Sequence, residues 1–177
     1  MKRMYVEKLG IDLLTHDPVV ILKDAAGRKF LPILIGPFEA TAIALALEGT
    51  SVPRPLSHDL MASIIDVLGG KVASVRIDEI RNNAFYAKIV IEKDGKQTEI
   101  DARPSDSLAL ALRAKAPIFV EDRIIMEESV IEKNASKETE KEPDPDDRQQ
   151  LRKYIDNLKP SDFLKGFDMG GGGKTEE

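Results

Sequence analysis

The 177-residue chain predicts an α+β fold, and three observations carry that expectation. Strand-like and helix-like apolar patterns alternate as far as residue 128. Glycine turns at Gly27 and Gly95 join neighbouring strand-like runs, which favours antiparallel hairpins. A segment beginning Pro37-Phe38-Glu39-Ala40 returns 67 residues later as Pro104-Ser105-Asp106-Ser107, with Glu39 on Asp106, Ala42 on Ala109 and Ala44 on Ala111. Residues 19–24 match 87–92 at nearly the same offset. A period this long, seen twice, is not a solenoid. It suggests a duplicated strand–strand–strand–helix unit folded against its copy.

Taken in order, the first strand is expected over 4–14, ending at the turn Thr15-His16-Asp17-Pro18, with His16 on the surface. Strands at 18–23 and 29–35 flank Gly27, and a helix over 37–48 starts at Pro37. The helix over 56–68 carries Leu60, Met61, Ile64, Ile65 and Leu68 on one face, leaving His58, Asp59, Ala62 and Asp66 on another. Gly69-Gly70 closes it as a C-cap. Strands follow at 71–81, 84–93 and 96–102, then a helix over 104–115 and a broken strand over 117–127. Helices 37–48 and 104–115 are rich in Ala and Leu nearly all round, which argues for deep burial. Pairing order is not readable from these patterns.

Two composition shifts divide the chain into an ordered domain (1–128), a charged linker (129–144), a C-terminal amphipathic helix with a short helical turn (145–165) and a disordered Gly-rich tail (166–177). In the third part Leu151, Tyr154, Ile155 and Leu158 fall at i, i+3, i+4 and i+7 behind Asp144-Pro145.

Composition removes whole classes of chemistry. Cys is absent, which excludes disulfide scaffolds, cysteine nucleophiles, thiolate zinc sites and iron–sulfur clusters. With only His16 and His58, a multi-histidine metal site is excluded too. No apolar run reaches the ~18–20 residues of a membrane span, and Met1–Lys8 lacks a signal-peptide apolar core. A cytoplasmic protein with no membrane role is expected. Residues 1–128 carry net charge −2 and residues 129–177 net −3, so any RNA or DNA binding should be weak and salt-sensitive.

Polar residues collect where helices begin: Glu39 at the first, Arg54, Ser57, His58 and Asp59 at the second, Asp101, Arg103, Ser105 and Asp106 at the third. Should these starts meet at one rim, four carboxylates, two guanidiniums and one imidazole would gather there. Carboxylates can hold a hard divalent cation such as Mg²⁺, arginines can fork onto phosphate, and such a set suits metal-assisted phosphodiester hydrolysis. Each member also has a plain structural role. Glu39 and Asp106 suit a helix dipole, Ser57 and Ser105 are N-cap candidates, and His58 on a polar face can be a solvated histidine. Asp101 sits at a strand end, opposite Ile100, and an Asp101–Arg103 or Asp106–Arg103 ion pair would account for that corner. Walker, Rossmann and nucleophile-elbow motifs are absent.

At these same segments the sequence resembles the bifunctional nuclease domain family. The matching strings are Leu31-Pro32-Ile33-Leu34-Ile35-Gly36, Ala46-Leu47-Glu48-Gly49, Pro53-Arg54-Pro55-Leu56-Ser57-His58-Asp59-Leu60, Phe85-Tyr86-Ala87 and Ile100-Asp101-Ala102-Arg103-Pro104-Ser105-Asp106-Ser107. The resemblance covers 1–128 and implies a duplicated unit of three strands and two helices, forming a single barrel-like, mainly antiparallel sheet with helices packed on it. It also implies cleavage of RNA and DNA with little sequence preference. The family's polar positions fall on Glu39, Arg54, His58, Asp59, Asp101, Arg103, Ser105 and Asp106, and Ser57 stands where many members have Thr.

The leading expectation is a weakly specific, metal-assisted nuclease. Catalytic roles are expected for His58, Asp59, Asp101 and Asp106, with His58 moving protons. Arg54, Arg103 and Ser105 would hold substrate, and Glu39, Asp101 and Asp106 the ion. The rival is a non-catalytic anion- or partner-binding assembly module, in which the 146–158 helix docks on the same or a neighbouring subunit. A homodimer is the expected assembly.

Overall fold

In a computed structural model, residues 1–12, 15–50, 52–82 and 84–127 are described. The linker, helix and tail expected beyond 128 lie outside them. Strands β1 (Lys2–Ile11), β2 (Pro18–Asp24) and β3 (Lys29–Leu34) are followed by helices α1 (Pro37–Glu48) and α2 (Ser57–Val67). Strands β4 (Lys71–Arg81), β5 (Ala84–Lys93) and β6 (Lys96–Ala102) precede α3 (Pro104–Ala114). The short strand β7 (Ile118–Val120), a single 3-10 turn (Asp122–Ile124) and β8 (Met126–Glu127) complete the order.

Local chemistry sets these boundaries. The β5–β6 hairpin turns on Asp94-Gly95, both with positive φ (51° and 73°), the conformation a two-residue hairpin loop requires. Asp24 ends β2 by accepting the Arg28 and Lys29 N–H groups, so its nearly buried carboxylate closes the next turn. Helix α2 ends at Gly69, whose N–H donates to the Asp66 carbonyl while that of Gly70 donates to Ile65, the paired bonds of a Schellman cap.

The eight strands form one mixed sheet in the order β6-β5-β4-β7-β1-β2-β3-β8. All neighbours pair antiparallel except β4 with β7, which run parallel. Two three-stranded meanders therefore flank β7, each followed by a helix with proline in its first turn. Among the described residues β6 and β8 are the sheet's edges and no ladder joins them, so the implied barrel closure is not formed there. After α3 the chain returns directly to the sheet as β7, so among the described residues α2 has no counterpart in the second half.

Helix α3 is the keystone, packing on α1, α2, β4 and β5, with Leu108, Ala109, Leu110 and Ala111 almost wholly buried. Around it lie Val20 and Leu22 of β2, Leu31 of β3, Ile43 of α1, Val75 and Ile77 of β4 and Val120 of β7. Each large aliphatic side chain sealed here contributes about 1.5–3 kcal/mol. Because one core takes helix starts from both halves of the chain, the polar residues preceding those helices arrive near one another.

Candidate active site

Each helix begins with an acid at its third position: Glu39 in α1, Asp59 in α2, Asp106 in α3. The N-cap residues are Gly36, Leu56 and Arg103, none using a side-chain cap bond. Ser57 and Ser105 therefore do not cap. They fall one residue past Leu56 and two past Arg103, because Asp59 reaches back to the Leu56 N–H (2.9 Å) and proline opens α3.

Glu39 and Asp106 converge on one guanidinium. Arg103 Nη2 lies 2.8 Å from Glu39 Oε1, and Arg103 Nε donates to Asp106 Oδ2 at 2.8 Å. The other Asp106 oxygen meets His58 Nε2 at 3.1 Å. The result is a chain from α2 through α3 to α1: His58, Asp106, Arg103, Glu39. Burial alone would raise the Asp106 carboxyl, but hydrogen bonds from Arg103 and His58 outweigh it and hold it below its ordinary value. An ionised Asp106 can only accept, so His58 Nε2 carries the hydrogen and Nδ1 is the nitrogen able to take a proton. His58 is only 8% exposed, which corrects its expected place on a solvated helix face. The cause is that α2 turns its apolar stripe outward and its His58 edge toward α3.

These groups line an open cleft of about 660 Å³ together with Ser57, Asp101, Phe38 and Met61. Asp101 is exposed at the end of β6 and paired in register with Lys88 of β5, and its carboxylate takes part in no side-chain hydrogen bond or close ion pair found among the described residues, although its charge reaches Arg81. Of the two ion pairs expected at this corner, only Asp106–Arg103 forms.

The remaining expected residues lie elsewhere. Ser105 is 7% exposed, packed within α3 and absent from the cleft lining. Arg54 is exposed in the segment before α2 and also does not line the cleft. Asp59 faces a second cavity and bonds Arg113 Nε in addition to the Leu56 N–H. Burial would raise the Asp59 carboxyl, but Arg113 and the Leu56 amide hold it low. Sequence reasoning missed Arg113. Its guanidinium also donates to the Ala42 carbonyl (3.1 Å) and to the Ala109 carbonyl (2.9 Å), tying all three helices. A lone arginine in a helix's last turn reads as a dipole partner, so no sequence signal marked it.

No three His, Asp or Glu side chains converge as a metal-ligand set among the described residues. Glu39 and Asp106 are both engaged by the Arg103 cation, and Asp101, though it lines the same cleft, does not complete a three-ligand set with them. As arranged, these donors do not fit a divalent ion.

The model of the bifunctional nuclease domain matches residues 20–133. An uncharacterised protein of Mycobacterium tuberculosis (strain ATCC 25618 / H37Rv) is 35% identical over 164 residues, covering 92% of this chain and 98% of its own length. A protein named bifunctional nuclease 1 from Oryza sativa subsp. indica is 29% identical over 116 residues, covering 64% of this chain and 35% of its own. Its namesake from Arabidopsis thaliana is 27% identical over 112 residues, covering 62% and 34%. The match to the plant proteins thus spans about a third of their length. With the domain match running through most of the residues that form the sheet, the three helices and the cleft, the chain belongs to the bifunctional nuclease domain family.

Proposed function

We propose that the cleft hydrolyses phosphodiester bonds of RNA and DNA with little sequence preference. The names of the plant relatives support a nuclease. The single observation that carries the reading is the His58–Asp106–Arg103 arrangement at the cleft wall. An imidazole oriented by a carboxylate, with its second nitrogen free to accept, is a general base. Arg103, mostly exposed, offers charge to a phosphate that sequence-blind binding would engage. In this reading His58 takes a proton from the water that attacks phosphorus, and the P–O bond to the departing sugar oxygen breaks as that oxygen takes a proton from solvent. Arg103 stabilises the charge growing on phosphate oxygens, and Asp106 holds both His58 and Arg103. Glu39 keeps Arg103 in place, and Asp101 is the unpaired carboxylate at the mouth. Arg54 is an outlying phosphate contact. No step is routed through a metal ion, given the donor arrangement.

Cleavage of labelled single-stranded RNA and DNA by highly purified protein tests this, with Mg²⁺, Mn²⁺ or chelator, beside identically prepared His58→Gln and Asp101→Ala proteins. Loss of cleavage in folded His58→Gln supports the reading, and the chelator arm decides whether an ion assists. Equal activity in all preparations means a contaminating enzyme. No cleavage by any preparation sinks the hydrolase and leaves the anion-binding module.

A further inference from the structure

Helix α2 presents its apolar residues to solvent. Leu60 (53% exposed), Ile64 (49%), Val67 (85%) and Leu68 (63%) form one stripe, while Ala62 and Ile65 alone of its apolar residues pack on the core. A contiguous exposed apolar stripe of this kind marks an interaction surface. Nothing among the described residues covers it.

We propose that the chain's own C-terminal segment, residues 145–165, docks on this stripe. Three independent features select that occupant. The spacing of Leu151, Tyr154, Ile155 and Leu158 predicts a matching apolar stripe, on a helix too short to be stable alone in water. Charge is complementary: α2 carries Asp66 and the Arg113-bound Asp59 with no Lys or Arg, whereas residues 145–165 carry Arg148, Arg152, Lys153, Lys159 and Lys165 against Asp146, Asp147, Asp156 and Asp162, a net positive charge concentrated around the apolar positions 151–158. Reach is ample, because residues 128–150 span up to about 75 Å when extended, against a radius of gyration of about 14 Å expected for the domain. Such a tether holds the segment at an effective concentration near the millimolar range. A second copy is disfavoured as occupant, since two α2 helices face to face would oppose like charges. Because Met61 belongs to α2 and also lines the cleft, the docked segment would border the cleft mouth.

Hydrogen exchange on the full-length protein tests this. Replacing Leu151 and Ile155 together (Leu151→Asp, Ile155→Asp) should speed exchange of the α2 amides about tenfold or more, leaving β4 and β5 amides unchanged. Sedimentation should be unaltered. The reciprocal pair Leu60→Asp and Ile64→Asp, both at exposed positions, should release amides of 148–159. Unchanged α2 exchange in the first variant, or unchanged 148–159 exchange in the second, overturns the proposal. So does α2 protection that appears only as wild-type concentration rises, which would assign the stripe to a second copy.

Discussion

Glu39 and Asp106 occupy the same third position of two proline-started helices, and the one guanidinium of Arg103 bonds both at 2.8 Å. The repeat spacing of 67 residues thus has a spatial meaning: its two acids meet across a shared cation. One positive charge between two negative ones fixes the Arg103 fork while leaving most of the side chain exposed to the cleft. That combination of held and accessible is what phosphate recognition needs.

Arg103→Lys should separate charge from geometry. Lysine keeps the cation but cannot bond Glu39 and Asp106 along two directions at once. Cleavage is expected to fall about 10²-fold or more, on the scale of losing one transition-state donor. Its thermal midpoint should move little, because Arg103 is largely solvent-exposed and such pairs contribute about 0–1 kcal/mol. Kinetics beside a melting curve checks both parts.

His58 and Asp106 should behave as one unit. His58→Gln and Asp106→Asn are each expected to cost about 10²–10⁴-fold in turnover. The double variant should lose little more than the worse single one. Additive losses would show that the two act independently and would remove the assigned role of Asp106. A double-mutant cycle on turnover reads this directly.

Gly36 is required for reasons of space. A Cβ there would collide with Glu39 Oε2, so Gly36→Ala has to shift the carboxylate whose other oxygen holds Arg103. Since the far end of a flexible side chain yields, stability should change by about 1 kcal/mol or less. Activity should drop toward that of Glu39→Gln. A Gly36→Ala protein as active as wild type would show that the Glu39–Arg103 contact is dispensable.

Most element boundaries were legible because turn chemistry is local. Asp94-Gly95, Gly27, Gly69 and the prolines opening α1 and α3 act on their immediate neighbours, and the structure places the corresponding ends within a few residues of expectation. What was not legible depends on partners distant in sequence. The α2 stripe shows amphipathicity, but its spacing is indifferent to which face meets α3. The spacing therefore leaves His58 open to a solvated or a catalytic role, and the structure buries it. The N-caps were misread for a related reason: Asp59 reaching back to Leu56 competes with Ser57, and only geometry decides between them. Of the candidate site, Glu39, His58, Asp101, Arg103 and Asp106 do come together, whereas Ser105 is spent on packing.

Arg113 should be the main stability determinant among the charged residues. Its removal leaves the Asp59 carboxylate without its cation and the Ala42 carbonyl without its donor. Fully buried pairs lose about 3–5 kcal/mol when one partner goes, and the roughly one-third exposure of Asp59 lowers the expectation to about 2–4 kcal/mol for Arg113→Met. Urea unfolding should show a lower midpoint with an unchanged slope.

Asp59 and Asp106 contribute to the response to pH, beside Asp24, Glu79, Glu99 and Asp122, whose carboxyls are also held below their ordinary values. Asp59 and Asp106 both titrate below their ordinary value of 3.8 in the folded protein, because hydrogen bonds from Arg113 and the Leu56 amide, and from Arg103 and His58, outweigh the cost of burial. Groups whose folded value is depressed contribute stability that is fully present above the unfolded value and is lost as pH falls through the folded one. Stability should therefore be flat in this respect near neutrality and decline below about pH 4 as the two carboxylates protonate. In the Asp59→Asn, Asp106→Asn double variant the neutral-pH stability should be lower and the acid decline shallower, since two of the depressed carboxylates are gone while Asp24, Glu79, Glu99 and Asp122 remain. Chemical denaturation at a series of pH values between neutral and 3 measures both curves. An acid decline as steep in the double variant as in wild type would place the responsible carboxylates elsewhere, with Asp24 and its two backbone donors the next to test.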